Sequence, residues 1–184
     1  MMLYLLLIIH LFTAGQVTVQ TKDIDANGDN RQFRKIDIVA SNATGSDISL
    51  DSVSLKYYFI DTLSDLNLSL WYFQIHDTTW QYSPQGVDLV EPELTSVNDS
   101  LIALALTFKQ GYVLPNNGVM EVQLGINRLD WSVIDQSSDP SYIATTTFAD
   151  NASVSFLQTS KFIYQCRVPV GIYGTRLPCC TTTY

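Results

Sequence analysis

"VMEVQLGI", residues 119–126, decides the fold. In an extended chain Met120, Val122, Leu124 and Ile126 fall on one side, and Glu121, Gln123 and Gly125 on the other. A period of two predicts a strand with one buried and one wet face, whereas a helix spaces its apolar residues three and four apart. The same period runs through "QFRKIDIVA" (residues 32–40), where Ile36 and Ile38 point opposite to Lys35 and Asp37. Similar runs, rich in β-branched and aromatic residues, are "VTVQTK", "VSLKYYFI", "LSLWYFQI", "LIALALTF" and "KFIYQCRV". The gaps "ANGDN", "SNATGSD", "YSPQG", "TSVNDS", "LPNNG" and "SSDPS" carry the small, polar and Pro residues that turn a chain. Short strands joined by turns, with no helical period between them, predict an all-β, antiparallel two-sheet β-sandwich with jelly-roll topology.

The chain's 184 residues suit one such core with short extensions. The apolar run from Leu3 to Phe12 is too short to span a bilayer, which takes about 20 residues. It ends in Thr13, Ala14 and Gly15, so residues 1–15 read as a signal peptide cleaved before Gln16; a buried strand or an uncleaved anchor is the other reading. The sandwich is then expected over residues 16–172 and a cysteine-containing tail over residues 173–184. Four acceptor triplets, at Asn42, Asn67, Asn98 and Asn151, fit a secreted, extracellular glycoprotein. A net charge of -8 argues against a nucleic-acid partner, since phosphate binding needs a basic stripe.

The cysteines are Cys166, Cys179 and Cys180. One disulfide from Cys166 to either neighbour leaves an odd thiol able to pair with another molecule. Zinc-type spacing is missing, because His10 and His76 are the only imidazoles. "DIDANGDN", from Asp23 to Asn30, begins like an EF-hand loop, but its twelfth position is Arg34 instead of a bidentate glutamate, so it reads as a turn.

Three stretches carry a resemblance: "DNRQFRKIDIVASNATGSDISLDSVSLKYYF", then "LWYFQ", then "GYVLPNNGVMEVQLGINRLDWSVIDQSSDPSY". In order and spacing they resemble the family 3 carbohydrate-binding modules, the cellulose-binding domains of cellulosomal scaffolds and cellulases, over roughly residues 17–171. The most specific piece is Asp130, Trp131 and Ser132, followed by Gln136, Ser137 and Asp139. The resemblance implies a jelly roll with a structural calcium ion and, in many members, a flat face for crystalline cellulose. The ion would lie between the end of "KYYFID" and the serine-rich loop, on Asp139, Asp135, Ser138 and Asp61, with Thr62 or a bulge correcting the register.

For the ligand face the resemblance implies Trp131 as the stacking ring and Gln123 as a polar member of the strip. The sequence departs from the family's pattern at Phe73 and Gln74, which replace an acid and a histidine, and at Gly125, which replaces an arginine. Trp80 or Tyr82 meets the family's loop tyrosine loosely, and Asn27, Asp29 or Asn30 lies on a loop near the ligand. Phe73, Trp80, Tyr82 and Trp131 are thus the candidate platform, although Trp71 and Phe73 lie within a strand where packing competes for them. Lys56 and Tyr58 share a strand face that lines the shallow groove such modules carry.

A glycosidase needs two carboxylates facing each other about 5 to 9.5 Å apart, and no pair is marked out by motif here. The pentapeptide Gly-x-Ser-x-Gly does not occur. The expected function is therefore that of a secreted, non-catalytic protein that adheres to cellulose or a related polysaccharide. The alternative is a structural or adhesion protein of an extracellular coat, built on the same sandwich.

Overall fold

A computed structural model of the chain describes residues 16–24, 30–61 and 65–158. The proposed signal peptide, Asn27, Asp29, Thr62, the run "KFIYQCRV", all three cysteines and the tail lie outside the described residues.

In chain order the described strands are β1 (Val17–Asp23), β2 (Asn30–Arg31), β3 (Phe33–Asn42), β4 (Ile48–Ser49), β5 (Val53–Ile60), β6 (Leu66–His76) and β7 (Val90–Ser96). They continue with β8 (Leu101–Phe108), β9 (Val113–Leu114), β10 (Val119–Arg128), β11 (Ile134–Asp135), β12 (Ala149–Asp150) and β13 (Val154–Gln158). Two sheets dominate: a five-stranded one in the order β12-β1-β3-β10-β6, and a four-stranded one in the order β13-β5-β8-β7. All their pairings are antiparallel, and the two sheets pack as a jelly-roll sandwich.

The period of two becomes the core. Ile36, Ile38 and Ala40 of β3 and Met120, Val122, Leu124 and Ile126 of β10 are buried, facing Leu55, Tyr57 and Phe59 of β5 and Ile102, Leu104 and Leu106 of β8. Phe73 of β6 stacks on Phe108 of β8 at 5.6 Å between ring centres, so one ring pair spans the sandwich. An aromatic pair in this arrangement adds about 0.5 to 1.5 kcal/mol beyond its buried area. The opposite phase of β1, β3, β10 and β6 forms an outer face that carries the candidate site.

Candidate functional site

Strand register sets the rows of this outer face. Phe33 lies opposite Asn127, Lys35 opposite Gly125, Asp37 opposite Gln123, and Val39 opposite Glu121. On the other side of β10, Asn127 meets Asn67, Gly125 meets Ser69, Gln123 meets Tyr72, Glu121 meets Gln74 and Val119 meets His76. The β6–β10 register shifts between Gln123 and Leu124, leaving Trp71 as the extra residue of a bulge. Leu70 and Phe73 both keep their inward phase, so the bulge turns Trp71 outward, 43% exposed.

The Trp71 indole lies across Gly125, where a Cβ would overlap the ring and would also approach Phe33 Cδ1 to 3.1 Å. Glycine is therefore required beneath this ring: the position that departs from the family's arginine makes room for a tryptophan. Phe33 holds Trp71 on one side, at 5.9 Å and 52°, and Trp131 on the other, at 5.3 Å and 67°. Trp71 and Phe33 are the members of the site that sequence reasoning missed. A glycine inside an otherwise regular strand was the signal available, since it marks a bulge or a close approach.

Trp131 is 53% exposed and Trp80 is 58% exposed, and both have φ near 60°. That left-handed region is uncommon for residues other than glycine and costs of order 1 kcal/mol or more. Two carboxylates build the turns that hold it. Asp130 Oδ1 accepts the Ser132 N–H at 2.9 Å, while the Trp131 N–H donates to the Arg128 carbonyl at 3.0 Å. Asp77 Oδ1 accepts the N–H groups of Thr79 and Gln81 and the Thr79 hydroxyl, at 2.9 to 3.0 Å. Trp80 then lies flat on His76, with ring centres 3.8 Å apart and planes 7° apart. The His76 row and the Gly125 row are six residues apart on β10, which is roughly 20 Å along the strand.

Polar groups fill the interval. Lys22 pairs with Asp37 at 3.0 Å, and Gln123 Nε2 donates to Asp37 Oδ2 at 3.1 Å and to Glu121 Oε1 at 3.2 Å. The Tyr72 hydroxyl donates to Gln74 Oε1, and Gln74 Nε2 donates to Ser83 Oγ at 2.8 Å. Burial pushes the Asp37 carboxyl up to about 6; Lys22 opposes that rise and Glu121 adds to it. On the other sheet Lys56 and Tyr58 face outward beside Ala105 and Ala103.

Four expectations need correction. Phe73 is 2% exposed in the core and faces no ligand, because the bulge assigns the outward position to Trp71. Tyr82 packs against the core, and its hydroxyl accepts the Val113 N–H at 3.0 Å, so it serves the loop instead of a platform. Asn42 is buried, its amide donating to the carbonyls of Ser46, Leu114 and Pro115. Asn151 is likewise buried, bonded to Thr21 and Ser141, so a glycan on either asparagine is incompatible with this packing. Asn67 and Asn98 are exposed.

The residues implied for calcium do not come together as a cation site. Asp139 Oδ2 is paired with the buried Arg34 at 2.8 Å and accepts the Ile60 N–H at 2.9 Å, and its Oδ1 accepts the Ser141 N–H at 2.8 Å. Asp61 Oδ1 is paired with Arg128 at 3.0 Å. Asp135 is exposed and closes its own turn onto the Ser137 N–H, and Ser138 is exposed. Among the described residues no group of three or more His, Cys, Asp or Glu could hold a metal ion. Calcium needs six to eight oxygens, and here three of the roughly four lone-pair sites of the Asp139 carboxylate accept from backbone N–H groups and a guanidinium. The described members of this set do not fit the ion.

A family model described as "Cellulose binding domain" matches residues 18–164. Among solved structures, the chain is similar to a family IIIA cellulose-binding domain from Clostridium cellulolyticum, with 22% identity and a TM-score of 0.67, covering 78% of this chain and 91% of that one. It is also similar to the family 3a carbohydrate-binding module of the cipA scaffolding of Clostridium thermocellum, with 19% identity and a TM-score of 0.69 over 82% and 100% of the two chains. A third is the module of the cellulosomal cellobiohydrolase 9A of Clostridium thermocellum, with 25% identity and a TM-score of 0.64 over 81% and 96%. No curated protein matches the chain. With the family model spanning most of its length and the same sandwich in these modules, the chain belongs to the family 3 cellulose-binding domains.

Proposed function

We propose that this chain is a secreted, non-catalytic module that adheres to cellulose or a related polysaccharide through the outer face of its five-stranded sheet. One observation carries the reading: Trp80 and Trp131, each more than half exposed, stand on left-handed turns at the two ends of that face. Each ring packs on a single aromatic neighbour, His76 or Phe33, and leaves more than half of its surface open at a strained turn, which supports a ligand-binding surface. Sugar rings present C–H faces that settle on flat aromatics, and Trp71, Phe33 and Trp131 supply them at one end. Gln123, Gln74 and Tyr72 offer amide and hydroxyl groups to sugar hydroxyls between the two ends. Lys22 already neutralises Asp37, which suits a neutral ligand.

The site is a sheet surface, and its acids are tied to Lys22 and Gln123, which supports holding a glycan over cleaving one. An insoluble glycan lies outside the cell, in keeping with the leader-like residues 1–15. Depletion of the full chain from solution by insoluble cellulose, chitin and mixed-linkage glucan tests the proposal. Saturable depletion on at least one glucan is expected. No depletion on any of the three would leave the coat-protein reading in its place.

A further inference from the structure

We propose that Arg34 and Arg128 do the work of a divalent cation at the loop end of the sandwich, so that this module folds and stays folded without calcium. Arg34 is 1% exposed and projects inward from β3, in phase with Ile36 and Ile38. Its Nη2 pairs with Asp139, while its Nη1 reaches Ser141 Oγ at 3.3 Å and the Tyr57 hydroxyl at 3.5 Å. The guanidinium also lies over the Phe59 ring, 4.9 Å from its centre. One side chain thus ties the five-stranded sheet to β5 of the other sheet and to the loop that carries Asp139. That is the cross-link a bound cation would supply.

Charge balance points the same way. Asp139 and Asp61 are both buried, and each has its own guanidinium, from Arg34 and from Arg128 respectively. Arg128 Nη1 adds a bond to the Val133 carbonyl at 3.4 Å, fixing the start of the same loop. A cation on Asp139 would share a carboxylate that already accepts from three N–H donors and would stand within a few ångströms of a fixed positive charge, in a setting where charges are poorly screened. Burial alone would draw protons off the Arg34 guanidinium, and Tyr57 and Asp139 outweigh it, so the group stays charged.

The test uses the full chain in metal-depleted buffer, with chelator or with millimolar calcium. The melting temperature is expected to be the same in both, and calorimetric titration with calcium is expected to show no saturable binding, since a ligand of the native state alone would raise the melt. Asp139→Asn strips one partner from a buried ion pair and should lower the melting temperature by roughly 10 °C, equally with and without calcium. A melt that rises by several degrees in calcium, or an Asp139→Asn loss seen only in calcium, would overturn the proposal. If Asp139→Asn does not fold, the wild-type pair of melts decides alone.

Discussion

The outer face and the loop end of this sandwich depart from their family's pattern in opposite directions. On the outer face, the position where the resemblance implies an arginine is Gly125, and an uncharged ring, Trp71, lies across it. At the loop end, where the resemblance implies a cation, a strand residue inside the core is Arg34. The difference follows from solvent. An exposed face can give up a charge at little cost, because surface ion pairs contribute about 0 to 1 kcal/mol and sugar C–H faces settle on apolar rings. A buried carboxylate cannot be left alone, so its counter-charge can only be exchanged for another.

The largest effect expected from this contrast is at the buried end. Arg34→Ala leaves Asp139 buried without its partner and should cost about 3 to 5 kcal/mol of unfolding free energy in denaturant titrations. A cost under about 1 kcal/mol would mean that the pair is solvated and the contrast false.

The outer face should respond through binding more than through stability. Gly125→Ala places a Cβ against the far end of the Trp71 ring, a side chain that can swing away, so stability should fall by only about 1 kcal/mol. Binding to insoluble glucan should weaken about tenfold, equivalent to about 1.4 kcal/mol, because the displaced ring leaves the platform. Unchanged binding in this variant would remove Trp71 from the site.

A smaller effect separates the two regions by pH. Each buried acid at the loop end has a guanidinium of its own, whereas Asp37 on the outer face has Lys22 on one side and Glu121 close by on the other. With its folded pKa at about 6, above the usual value near 3.9, Asp37 binds its proton more tightly in the folded state. Its contribution to stability is therefore fully present at low pH and is lost as pH rises through 6. The wild type should gain about 1 kcal/mol from this group between pH 7 and pH 5, and Asp37→Asn should lose that increment. Parallel pH profiles for the two proteins would contradict the assignment.

Much of the fold was legible because alternation is a local signal. The runs "VSLKYYFI" and "LIALALTF" coincide with β5 and β8. The strand β7, "VEPELTS", was not legible, because Pro92 and two glutamates argue against a strand; among the described residues it lies at the sheet edge, paired to β8 alone. Within the site, Trp131, Trp80, Gln123 and Gln74 do lie on or beside the expected face. Phe73 was misassigned because one bulged residue changes the phase of β6, and nothing in "LWYFQ" alone says which aromatic is the extra one. Arg34 could have been read from its phase: in "QFRKIDIVA" it alternates with Ile36 and Ile38, and an inward arginine requires a buried acid.

The central claim, that this face holds a polysaccharide through exposed rings, is tested most directly by Trp131→Ala, measured for both depletion on insoluble glucan and thermal melting beside the wild type. The ring is half exposed and touches Phe33 at the sheet surface, so the account predicts strongly reduced depletion with a melt lowered by no more than a few degrees. Depletion equal to the wild type would contradict it, and so would a collapsed melt, the mark of a core tryptophan whose truncation costs about 3 to 5 kcal/mol.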